Sequence, residues 1–161
     1  MQARDIAISP VVIIDAAQNV HAAAELMERH LVGCLVVTEC LGSDRVPVGM
    51  LTDRDICVAV AHDLMAGTRS IRSIMSRRLV TCRQETPLEN ILEMMRANHV
   101  RRLPVVDEGG ALAGILTASD VLNALSELIR RAGEVALTEP ALRDRLTATQ
   151  IACDGLASPV P

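Results

Sequence analysis

The sequence predicts an α/β (α+β) chain of two β-α-β-β-α repeats, packed against each other as a pseudo-symmetric pair. Three observations predict it. Shifted against itself by 68 positions, the chain superposes Arg4 on Arg72, Ile6 on Ile74, Val12 on Val80, Glu25 on Glu93, Met27 on Met95 and Val32 on Val100. Past Val37 the first copy holds three extra residues around LGSDRVP, and a shift of 65 then superposes Gly49, Leu51, Thr52 and Asp55 on Gly114, Leu116, Thr117 and Asp120. Each copy alternates short β-branched runs with a stretch of helical period, and each closes its last strand in the same frame, Gly-x-Leu-Thr-x-x-Asp. Two copies of one supersecondary unit are too few for a solenoid, so a pair burying a shared face is expected.

The second copy reads most directly. VTC (80–82) is a short strand. Thr86, Pro87 and Glu89 predict a helix start, with Thr86 as N-cap, Pro87 at the first helical position and Glu89 completing a capping box. Leu88, Ile91, Leu92 and Met95 follow on one helix face. LPVVD (103–107) and ALAGIL (111–116) are strands joined by the tight turn EGG (108–110), where glycine supplies positive φ at no steric cost. Thr117-x-x-Asp120 then opens an apolar helix, VLNALSELI. The first copy follows the same order: VVII (11–14), a helix near 20–30, CLVVTE (34–39), VGML (48–51) and a helix from about Asp53 to Val60. The repeats are expected at 1–61 and 71–133. HDLMAGTRS (62–70) reads as a linker and 134–161 as a C-terminal extension, in which Thr138-Glu139-Pro140 could open a further helix through ALRDRLTATQI.

Composition narrows the function. The 161 residues are half hydrophobic yet contain no Phe, Tyr or Trp, so the core is built from aliphatic side chains and Met. Aromatic stacking platforms for single-stranded nucleic acid are absent, and a net charge of −4 argues against a nucleic-acid surface. No apolar run reaches membrane-spanning length. The N-terminus, MQARDIAISP, has no signal-peptide pattern. The five cysteines (34, 40, 57, 82 and 153) have no C-x-x-C pair and read as small buried hydrophobes in a reducing cytoplasm. His21, His30, His62 and His99 are not spaced with them as metal ligands. No nucleophile–base pair, P-loop or metal cluster is present, so no enzyme is expected.

The Thr-x-x-Asp frame has two readings. At a strand-to-helix junction it is a capping box. The same geometry also suits a ligand: a carboxylate beside a helix N-terminus can take both hydroxyls of a ribose, and the neighbouring Thr hydroxyl can meet a phosphate. Its recurrence at matched places in both copies favours a functional role.

These residues resemble the CBS domain, the cystathionine-β-synthase-type regulatory module, in tandem. The resemblance rests on IMSRRLVTCRQETPLENILEMMRANHVRRLPVVDEGGALAGILTASDVLNAL in the second copy, with ARDIAISPVVIIDAAQNVHAAAELMERHLVGCLVV and VGMLTDRDI in the first. LTDRDI is similar to stand-alone prokaryotic CBS-pair proteins. The resemblance implies a CBS pair (Bateman module) with two clefts between its repeats, and adenosyl ligands (AMP, ADP, ATP or S-adenosylmethionine) as regulatory ligands rather than required cofactors. It also implies a homodimer. With nothing fused within these residues, an effector would be a separate protein. One cleft would use Met50, Thr52 and Asp55 with Val80, Val100, Arg101 and Arg102. Asp55 would hold the ribose, Thr52 contact ribose or phosphate, Val100 wall the base and the arginines neutralise phosphate. The other would use Ile115, Thr117 and Asp120 with Ile13, Ala16 and Val32. It lacks the arginine clamp, because Gly33-Cys34 stands where Arg101-Arg102 stands in the second copy. The expectation is therefore a stronger nucleotide site at Asp55. The competing expectation is a ligand-free dimerisation or protein-interaction module.

Overall fold

The structure, a computed structural model, describes residues 1–138. It comprises a compact unit, residues 1–121, and a second unit from Leu122 onward. In the first unit a short helix α1 (Ala3–Ile6) precedes β1 (Ile13–Asp15), α2 (Val20–His30), β2 (Cys34–Leu41), β3 (Asp44–Thr52) and α3 (Asp53–His62). The second copy supplies β4 (Cys82–Arg83), α4 (Leu88–Asn98), β5 (Arg102–Val106), β6 (Leu112–Thr117) and the start of α5 (Ala118–Thr138). Each copy makes a three-stranded sheet with its first strand parallel and its third antiparallel to the middle one.

Local chemistry repeats with the sequence. Helices α2 and α4 each hold 11 residues and end on a left-handed residue, Leu31 (φ 54°) and His99 (φ 53°), whose N–H returns to the last turn. The three extra residues of the first copy lengthen its hairpin, turning at Gly42 (φ 64°) between paired Leu41 and Asp44. In the second copy Gly110 (φ 86°) turns the corresponding loop, and the Asp107 carboxylate accepts from the Ala111 N–H at 2.9 Å. Gly42 and Gly110 hold a φ that disfavours other side chains.

The two copies exchange their leading segments. Ile8, ahead of β1, pairs with Ile115 of β6, while Ser76, ahead of β4, pairs with Met50 of β3. The exchange repeats bond for bond. Ala3 and Arg4 donate their N–H groups to Thr86 and Gln84, and Ile71 and Arg72 donate theirs to Gln18 and Ala16. Ile71 and Met75 accordingly belong to the first sheet's core, with Ile14, Ala16, Ala23, Met27, Leu35, Val37 and Leu51. In the second copy Leu88, Ile91, Met95, Leu103, Val105 and Leu116 are buried. Strands β3 and β6 approach each other where the copies meet.

Several expectations change. Thr86 does not cap α4: Pro87 is the N-cap and no side chain bonds there, because the Thr86 hydroxyl accepts from the Arg83 N–H at 3.0 Å. The Leu88 N–H is instead taken by the carbonyl of Met1, in the exchanged leader. Leu92 is exposed although it sits at an apolar helical position. Only Cys82 of the described cysteines is buried; Cys34 is half-buried, and Cys40 and Cys57 are exposed. Cys40 lies near the hairpin tip, past the core, and burial pushes the Cys82 thiol up to about 11. The 62–70 segment holds a 3₁₀ turn whose Ala66 is fully buried. Helix α5 runs unbroken through residues 133 and 134. Cys153 and the helix expected from ALRDRLTATQI lie outside the described residues. No helix of the described residues is long and apolar enough to cross a membrane.

Candidate functional site

Both Thr-x-x-Asp frames form a capping box. In the first, the Asp55 Oδ2 accepts from the Thr52 N–H at 2.8 Å and from its hydroxyl at 2.7 Å, while the Asp55 N–H donates to Thr52 Oγ1 at 3.3 Å. The second repeats this between Asp120 and Thr117 at 2.7, 2.7 and 3.3 Å. The capping reading is therefore correct, but it uses one oxygen of each carboxylate. Oδ1 of Asp55 and of Asp120 accepts no bond from the described residues. Thr52 has a single hydroxyl proton, and it is committed to Asp55. Toward a ligand, Thr52 can therefore accept, as from a ribose hydroxyl, but has no proton left for a phosphate.

Strand β3, the exchanged segment after Ser76 and the turn after α4 enclose a cavity of about 280 Å³. All seven residues expected at the first cleft line it: Met50, Thr52 and Asp55 from the first copy, and Val80, Val100, Arg101 and Arg102 from the second. Ser76, Arg78, Leu79 and His99 complete the wall. Arg78 and Ser76 escaped the sequence reading because they lie in the leader, whose crossing to β3 is a tertiary event. In the repeat Ser76 and Arg78 are the counterparts of Ile8 and Pro10, which carry no local signal of the crossing either. Arg78, Arg101 and Arg102 form no ion pair with a carboxylate of the described residues, whereas Arg69, Arg72, Arg96, Arg130 and Arg131 all do. The cavity is thus strongly cationic, with one carboxylate facing it.

The second set of residues is not gathered in the same way. Ala16 is fully buried in the first sheet's core and cannot wall a cleft; the repeat makes Val12, not Ala16 or Ile13, the counterpart of Val80. Ile13 lines a different cavity with Pro10, Arg45 and Leu112. Ile115 exchanges two backbone bonds with Ile8. Val32 is half-buried at the turn after α2, where its N–H is bonded to the Met27 carbonyl. Thr117 lines a cavity of about 160 Å³ with Arg101, Arg102, Ala118 and Ser119. At the matching place in the first copy the Asp53 carboxylate crowds Gly33, with Oδ2 only 3.1 Å from where a Cβ would stand. Cys34 meets Arg102, its counterpart in the repeat: burial pushes the Cys34 thiol up, and the adjacent Arg102 pulls it partly back.

Two interleaved β-α-β-β-α units, with a cleft lined from both, define a paired-repeat module. The chain belongs to the CBS domain family, whose model matches residues 3–62 and again 71–127. It is 32% identical over 135 residues to the CBS domain-containing protein YhcV of Bacillus subtilis, covering 84% of this chain and 91% of that protein. Among solved structures it is similar to Hypoxic Response Protein I with two coordinated zinc ions (TM-score 0.66, 31% identity, covering 76% of this chain and 98% of that one). It is likewise similar to CBSX2 in complex with AMP (TM-score 0.67, 25% identity, covering 79% and 97%). CBS pairs are regulatory modules, and no catalytic family is indicated.

Proposed function

We propose that the chain is a non-catalytic cytoplasmic sensor that binds an adenine nucleotide in the cavity at Asp55 and passes its occupancy to a separate partner protein, acting as a homodimer. The observation that carries this is the pairing, in one cavity, of a carboxylate and three arginines, with one carboxylate oxygen unbonded and the arginines without ion pairs among the described residues. Asp55 Oδ1 accepts the ribose hydroxyls, Met50, Val80 and Val100 hold the base by apolar contact, and the arginines take the phosphate. The cationic wall favours AMP, ADP or ATP over S-adenosylmethionine, whose sulfonium it repels. CBSX2 binds AMP within the same fold. The cavity takes its walls from both copies, so a ligand there acts on their relative arrangement. It shifts that arrangement only by as much as its affinity differs between the two states.

The second cleft replaces Arg78, Arg101 and Arg102 by Pro10, Gly33 and Cys34 and carries no such clamp. Calorimetric titration of AMP into the wild type, Asp55→Asn and Asp120→Asn tests the assignment. In the asparagine variants the amide oxygen retains the cap, and an NH₂ replaces the free acceptor. Binding at one site per chain, lost in Asp55→Asn and retained in Asp120→Asn, is expected. Loss in Asp120→Asn alone would reverse the assignment. No binding at millimolar AMP would leave the dimerisation module as the better reading.

A further inference from the structure

The cavity at Asp55 does not end at its arginines. Arg101 and Arg102 also wall the smaller cavity of about 160 Å³ whose other face is Thr117, Ala118 and Ser119. One pair of cations is thus common to two cavities. The Thr117 hydroxyl is occupied by Asp120, and the Ala118 N–H is bonded to the Arg101 carbonyl at 2.9 Å. Ser119 brings the only other hydroxyl of this face. The first copy shows what the place looks like when closed to anions: Asp53 stands at the position of Ala118, its carboxylate over Gly33, the counterpart of Arg101. Going from first copy to second, a carboxylate is lost and two guanidiniums are gained.

We propose that this second cavity is a subsite for the distal phosphates of a nucleoside di- or triphosphate whose ribose lies at Asp55. The inference rests on the nucleotide reading of the larger cavity and adds its preference in phosphate number. The proximal phosphate meets Arg78 and Arg101, and the chain continues across Arg102 toward Ser119. Repeat symmetry does not reproduce this route, because Cys34 and Asp53 stand in its way on the other side.

The test compares AMP with ATP, without divalent cations and at fixed ionic strength, in the wild type and in Ser119→Asp. Ser119 is exposed in the first turn of a helix, where an acidic residue is well accepted, and a thermal melt confirms that the variant folds. The wild type is expected to bind ATP at least roughly tenfold more tightly than AMP, as an added charge-assisted contact implies. Ser119→Asp is expected to abolish that preference, weakening ATP at least roughly tenfold more than it weakens AMP. Equal affinity for AMP and ATP in the wild type, or equal weakening of both by Ser119→Asp, would overturn the subsite and leave the Asp55 site standing. Absence of AMP binding in the wild type would instead remove the nucleotide reading itself.

Discussion

Gly49→Val lowers stability by about 1–3 kcal/mol, the range for forcing extra methyl groups into a packed interior. A Cβ at Gly49 would stand 2.8 Å from the Met75 sulfur and 2.9 Å from the Ser76 carbonyl oxygen. The sulfur can swing aside; the carbonyl cannot, because it is held by the Met50 N–H at 3.2 Å, in the bridge that fixes the exchanged segment to β3. Valine is a better strand residue than glycine, so propensity alone predicts the opposite sign. Urea denaturation with an unchanged m-value checks this. At Gly114 the nearest atoms, the Ala7 Cβ and the Ile8 carbonyl oxygen, lie at 3.2 Å, and Gly114→Ala is the milder change. Equal stability of wild type and Gly49→Val would mean that the leader does not lie against β3. The glycine of the repeated frame therefore makes room for the crossing chain, and the Thr and Asp that follow cap the helix through one carboxylate oxygen.

The second large effect is on binding. Replacing Arg101 and Arg102 together by glutamate turns the cavity's arginine wall from three cations to one cation and two anions. Each charge-assisted hydrogen bond contributes about 1.5–3 kcal/mol, so AMP affinity is expected to fall by at least about a hundredfold. Neither arginine is ion-paired within the described residues, so the melting temperature should change little, or fall modestly through the lost contact of Arg102 with Cys34. AMP affinity within about threefold of wild type would show that the arginines are a solvated surface and not a phosphate clamp.

Most of the fold was legible because the repeat reports it twice. Helices α2 and α4 begin and end at matched positions, and the Thr-x-x-Asp capping boxes form at both predicted junctions. What local pattern could not show came from partners distant in sequence. Thr86 has the right spacing for a cap, yet its hydroxyl turns to Arg83, and the helix start is covered by the N-terminal leader. Ala16 directly follows β1, but its small side chain is sealed in the core. The first-cleft residues came from the family resemblance and not from local pattern; all seven line one cavity. Arg78 was not, since nothing near it in sequence says that its segment crosses to the other copy. Leu92 fits the apolar face of α4 by period but falls at its margin, outside the stripe of Leu88, Ile91 and Met95.

In the proposed function Asp55 and the arginines across from it form a single nucleotide site, and a crystal structure of the protein grown with AMP tests this. The predicted result is one AMP per chain in the cavity lined by Met50, Val80 and Val100. Its ribose hydroxyls lie within hydrogen-bond distance, about 2.5–3.0 Å, of Asp55 Oδ1, and its phosphate lies against Arg78, Arg101 or Arg102. AMP held by Asp120 on the opposite side, with the Asp55 cavity empty, would contradict it.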